Sequence, residues 1–164
     1  MSHETRPIVI RWVFDPLLEA DLFESILKRR VFAFLFDVVG VSLLWLLASV
    51  VVFFLGLATF GLAWLIYPAL WPILGVLYTV SGLAGPSSAT AGMRAMGIAM
   101  RTHDGGRPDL LRALLHVVVF YALSVGLTPL VHVIGLFDAR RRLLHDMIVG
   151  VVVLDGRVLA MTGR

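Results

Sequence analysis

From Val31 to Met93 the chain carries one charged side chain, Asp37. That run dictates the solvent. A surface helix of a soluble protein keeps a polar face, and this run has none. A helix rises about 1.5 Å per residue and a bilayer core is about 30 Å thick, so about 20 residues make a span. Residues 31–83 hold two spans and hardly any loop. We place them at about 31–54 and about 60–83. The link LGLATFG is uncharged and carries two glycines, which suits a tight turn at the far face. Pro68 and Pro72 lack a backbone donor, and the second helix is expected to bend there. Trp64, Tyr67 and Trp71 are read as ordinary span residues.

Composition agrees with lipid as the solvent. The 164 residues allow one domain. Hydrophobic residues make up 59% and charged ones 15%, with mean hydropathy +0.93; soluble chains are roughly 45–50% apolar. The absence of cysteine excludes disulfides and thiolate sites. Residues 1–27 hold acids and lack an apolar core with a cleavage site behind it, so the first span is expected to direct its own insertion. Net charge is +3, but its placement matters more than its sum. Lys28, Arg29 and Arg30 precede the first span; Arg94, Arg101, Arg107 and Arg112 follow the second. The positive-inside rule puts both groups, and the N-terminus, in the cytoplasm. Membrane lipids are the expected partners, and nucleic acid is not.

The third apolar region, 110–137, admits two readings. One tilted span would strand Arg140, Arg141 and Arg142 outside, against the charge rule. At GLTP, 126–129, proline opposes helix continuation and glycine lowers helix propensity. Two shorter helices, about 109–125 and 129–138, would then dip in and return. We favour that re-entrant hairpin. MGIAMRT at 96–102 and MIVGVVVLDGR at 147–157 read as strands, each followed by a turn signal. Paired on the cytoplasmic side, they would close the domain from below, which needs both ends of 110–137 on one side.

The stretch 15–29 reads as an amphipathic helix, with Asp15 as N-cap and Pro16 at the first helical position. Leu17, Leu18, Leu22 and Ile26 share its apolar face. It lies on the membrane surface or packs on the rest of the domain. The preceding IVIRWVF is a strand or a partner-binding tail.

Arg30 and Asp37 fall within about 20° of each other on one helix face, about 10 Å apart along the axis. Ala33 lies between them and leaves a gap that a third group could fill. A buried carboxylate in a span is costly and faces protein or water. Three readings stand: a tertiary salt bridge, a proton or cation site with Asp37 titrating, or a carboxylate reaching cytoplasmic water. FDARRRLLHDMIVG, 137–150, supplies candidate partners: Asp138, His145 and Asp146. His145 and Asp138 are a possible proton or ion relay. Lys28, Arg29, Arg140, Arg141 and Arg142 are candidate lipid-headgroup ligands.

Three ordered segments resemble the RDD membrane-protein family. RVFAFLFD at 30–37 resembles its opening R-x-x-A-x-x-x-D. ATAGMRAMGIAMRTHDGGRPDLLRALL at 89–115 resembles its T-x-G-K-R-x-x-G-x-x-V, followed by a D-G turn and an Arg-containing helix. RRRLLHDMIVGVVVL at 140–154 resembles its closing R-x-x-x-D-x-x-x-G-T-x-V-V. Met93 stands where a lysine is usual, and Val151 where a threonine is usual. The resemblance implies that Arg30, Asp37 and Asp146 are the signature residues, in a bacterial inner-membrane protein of a largely uncharacterised family to which transport is generally ascribed.

The fold class expected is an all-α membrane protein with two transmembrane helices, a third re-entrant or spanning helical region, and a small cytoplasmic β element. Residues 1–29 form the cytoplasmic N-terminal segment, 30–156 the membrane domain and 157–164 a tail. Arg30, Asp37 and Asp146 are expected to form one buried charge cluster. No metal or cofactor is expected; His116 and His132 alone make too few ligands. SGLAGPSSATAGMRAMG at 81–97 lacks the G-K-[ST] of a phosphate loop; its small residues let helices approach, and Ser87, Ser88 or Thr90 caps a short helix. No nucleophile has a base at recognisable spacing, so an enzyme is not expected. The expected function is ion or small-solute transport, proton- or sodium-linked, which with two full spans implies a homo-oligomer. The alternative is a non-transporting scaffold that holds a partner membrane protein, with 1–29 as the contact.

Overall fold

The long apolar run forms a helical hairpin. The computed structural model describes residues 13–163, and the side chains of all of these except 124–134 and 136. Helix α1 is Ile26–Ala58 and helix α2 is Tyr67–Leu83. Between them Gly61 takes φ +93°, the left-handed region that suits glycine, and a 3-10 turn covers Leu62–Ile66. The hairpin closes tightly because Gly56 has no side chain: a Cβ there would collide with the Trp64 indole. Tyr67 donates to the Ser49 carbonyl at 2.9 Å and pins the start of α2 to α1. Pro68 falls in the first turn of α2, where its missing donor breaks no helical bond, and only Pro72 is interior. A soluble core helix would be mostly covered. Here 11% of the most apolar window of the first helix is buried, and 17% of that of Leu62–Leu83. Their apolar surface faces outward, as helices in lipid require.

The third region differs from the expected pair of helices. Helix α4, Leu110–Phe137, is one continuous helical run through GLTP. Phe120 packs its ring on Phe34, 6.4 Å between centroids, and a Cβ on Gly135 would lie 3.2 Å from Leu27, so the middle and the far part of α4 both touch the first turns of α1. One proline removes one hydrogen bond, and the helical backbone continues past it.

Strands β1, Ile98–Thr102, and β2, Val151–Asp155, pair antiparallel with Ile98 opposite Asp155 and Thr102 opposite Val151. Every residue of both strands is buried, so both faces of this small sheet are covered. On one face Ile98, Met100, Val151 and Val153 pack against Ile26, Leu83, Ala113 and Val117. On the other, Ala99, Val152 and Leu154 pack against Phe14, Leu22, Phe23 and Leu159. The second face explains why 15–29 is not one amphipathic helix. Asp15 does cap, accepting from Leu17 N at 3.0 Å, but it closes only a turn. A 3-10 turn follows at Ala20–Leu22, Ser25 takes φ +56°, and α1 begins at Ile26. The segment gives Phe14, Leu22 and Phe23 to the sheet, and leaves Leu17 and Leu18 at 92% and 84% exposure. Of the expected strand or tail at 8–14, residues 8–12 lie outside the described residues.

Around β2 the chain is more helical than expected. Residues Leu144–Val149 form helix α5, ended by Gly150 at φ +72°, and β2 starts one residue later. Asp155 then accepts from Arg157 N at 2.8 Å and starts helix α6, Gly156–Met161, which runs into the expected tail. Helix α3, Ala91–Ala95, precedes β1 and is capped by Thr90, which accepts from Met93 N at 3.2 Å.

Candidate functional site

Asp146 is fully buried at the third position of α5. Its Oδ2 accepts from Leu143 N at 2.9 Å, which starts the helix, and also takes the Arg30 guanidinium. Its Oδ1 faces two imidazoles: His145 Nε2 at 3.4 Å and His116 Nδ1 at 3.6 Å. The two rings meet edge to face, 4.7 Å between centroids, and Phe120 closes over His145 at 5.2 Å. Helices α1, α4 and α5 thus converge on one carboxylate. Burial acts to raise the Asp146 pKa; Arg30 and then the two histidines outweigh it and hold the carboxyl below its usual range. Asp146 Oδ1, His116 Nδ1, and Arg30 Nε and Nη2 are buried without a hydrogen-bond partner among the described residues. The centre therefore has unused polar capacity.

Asp37 does not join that pair. Three neutral donors hold it: Tyr78 Oη at 2.6 Å, Thr90 Oγ1 at 2.5 Å and Gly92 N at 2.7 Å. The gap over Ala33 is filled by α3 itself. A Cβ on Gly92 would lie 2.8 Å from Asp37 Cγ and would strike the Ala33 carbonyl oxygen. The three-membered Arg30–Asp37–Asp146 cluster is thus replaced by two separate sites. Arg30 reaches Asp146 at the lower end of α1, and Asp37, two turns on, bonds the loop that follows α2. Seven residues of helix separate the two groups too far for one partner to serve both.

The remaining candidates divide in the same way. His145 lies in the cluster, but Asp138 does not. Arg142 grips Asp138 through Nε at 2.9 Å and Nη2 at 2.7 Å, and this hydrogen bonding holds the Asp138 carboxyl below the usual range. Arg29 also turns inward, to Asp155 at 2.5 Å, rather than to lipid. Arg140 Nε donates to the Phe14 carbonyl at 3.3 Å. Lys28 and Arg141 are exposed. His116 is the member that spacing misdirected: it meets His145, while the side chain of His132 lies outside the described residues. His116, His145 and Asp146 each offer a ligand atom within 4.8 Å of the others, a donor set that could hold a divalent transition metal. Such an ion would share Asp146 with Arg30.

A sequence model of the RDD family matches residues 25–150, most of the chain, and Arg30, Asp37 and Asp146 all fall inside the match. The chain belongs to the RDD family. RDD proteins are membrane proteins, and the two exposed apolar helices are long and apolar enough to be their spans. Comparison with curated proteins and with solved structures found no match. In this RDD protein the match stops at Gly150, just before β2, so the second strand and α6 complete the sheet layer from outside it.

Proposed function

We propose that this RDD protein is a transport-related protein of the bacterial inner membrane, in which Arg30, His116, His145 and Asp146 handle a proton or a small cation. The observation that carries the reading is the convergence of two imidazoles on one buried carboxylate oxygen. Buried ionisable groups in a membrane protein are costly and mark ion pathways, and an imidazole beside a carboxylate is a proton carrier. The titrating role passes from Asp37 to this cluster, because Asp37 is engaged by three donors that join α1 to α2 and α3. In this reading α4 acts as a re-entrant segment. Its two ends then share the cytoplasmic side with Arg94 and Arg140–Arg142, as the charge rule asks. Two full spans enclose little, so conduction calls for oligomers.

Flux through proteoliposomes tests this. Wild-type protein should dissipate an imposed sodium or potassium gradient with coupled proton movement. His116→Gln and His145→Gln should lower that flux with unchanged thermal unfolding. A wild type that moves neither cation nor proton defeats the transport reading in favour of an accessory subunit of a partner membrane complex.

A further inference from the structure

The sheet layer holds a second arrangement of charge, apart from the Asp146 centre. A cleft of about 470 Å³ is lined by Arg94, Arg101, Arg107 and Arg157, together with Ser87, and no carboxylate lines it among the described residues. Elsewhere the protein pairs its arginines: Arg29 with Asp155, Arg30 with Asp146 and Arg142 with Asp138. The four in the cleft form no ion pair among the described residues.

Arg101 is the informative one. It sits on β1, is only 8% exposed, and donates through Nη1 to the Met100 carbonyl at 2.9 Å. Its burial, and then Arg107 nearby, push its pKa down from the ordinary guanidinium value. A buried cation facing more cations is costly unless an anion neutralises it. The cleft is also built. Gly97, at φ +68°, leaves the space that Arg157 occupies: a Cβ there would lie 2.6 Å from Arg157 Nε. Gly156 N donates to the Gly97 carbonyl at 2.9 Å and fixes Arg157 beside β1. Guanidinium forks match phosphate oxygens bidentately. The volume falls in the roughly 300–1,000 Å³ range of small-ligand sites.

We propose that this cleft binds a phosphate group, with Arg101 at its base and Arg94, Arg107 and Arg157 around the mouth. The group is carried by an anionic lipid headgroup or by a free phosphate.

Two probes separate those sources, with thermal unfolding of the whole protein as the readout. One is inorganic phosphate at fixed ionic strength in neutral detergent. The other is phosphatidylglycerol against phosphatidylcholine in nanodiscs. Stabilisation by inorganic phosphate identifies a free ligand; stabilisation by phosphatidylglycerol alone identifies a lipid. Arg107→Ala combined with Arg157→Ala, both exposed positions, should weaken half-saturation about tenfold or more. Arg112→Ala, outside the cleft, should leave it unchanged. Arg101→Met should unfold no earlier than wild type without probe, yet lose the response. The proposal is overturned if neither probe stabilises the wild type, or if the double variant responds as the wild type does.

Discussion

Arg30 on α1 and Asp146 on α5, 116 positions apart in the chain, form an ion pair, and only 12% of the Arg30 side chain is exposed. Asp37 lies on the same side of α1, seven residues on, and bonds three neutral donors instead. Two neighbouring charges on one helix therefore hold different parts of the chain. Arg30 anchors α5 and the strand after it; Asp37 anchors α3 and the strand after that.

Removing one partner of the buried pair leaves an uncompensated charge. Asp146→Ala should cost about 3–5 kcal/mol of stability, whereas Arg30→Met with Asp146→Leu should cost much less than the two singles summed. Chemical unfolding in detergent measures both. Additive losses would show that the pair is not coupled.

Asp138 titrates lower in the folded state than in the unfolded one, so its ionised form favours folding. That contribution is present above the unfolded value of about 3.9 and is lost as pH falls through the lower folded value. The unfolding midpoint of the wild type should fall more steeply below about pH 4 than that of Asp138→Asn. Parallel acid profiles would remove Arg142–Asp138 as a stabilising pair.

Gly92 is needed for space, not for backbone freedom. Gly92→Ala should destabilise by about 1–3 kcal/mol, because the methyl meets backbone at Ala33 and the Asp37 carboxyl. Asp37→Asn should also destabilise, by about 1–3 kcal/mol, since an amide cannot accept from all three donors through one oxygen. Unfolding midpoints equal to the wild type for either variant would refute the docking role.

A re-entrant α4 would put both of its flanks on one side of the membrane. The sequence lacks cysteine, so single cysteines report position cleanly. Cysteines replacing Arg107 and Arg141 should react with an impermeant thiol reagent from the same side of the membrane. One replacing Phe60, at the fully exposed hairpin tip, should react from the other. Opposite sides for 107 and 141 would make α4 a span.

Local chemistry made the two membrane helices, the turn at 55–61 and both strands legible, because hydropathy, glycine dihedrals and valine content act within a few residues. Position on one face also followed from the helical repeat: Arg30, Ala33 and Asp37 do line up. The choice of partner did not follow. Tyr78, Thr90 and Gly92 reach Asp37, and His116 meets His145, only because α2, α3 and α5 pack where they do. Asp15 accepts from Leu17 N, but only a turn follows; a distant sheet face takes Phe14, Leu22 and Phe23, and the expected helix does not form. Arg101 and Arg157 share a cleft because β1 pairs with β2 across about fifty residues of chain. Sequence alone decided solvent, helices and charge inventory, which depend on neighbours along the chain. The tertiary structure decided which charges meet, which depends on neighbours in space.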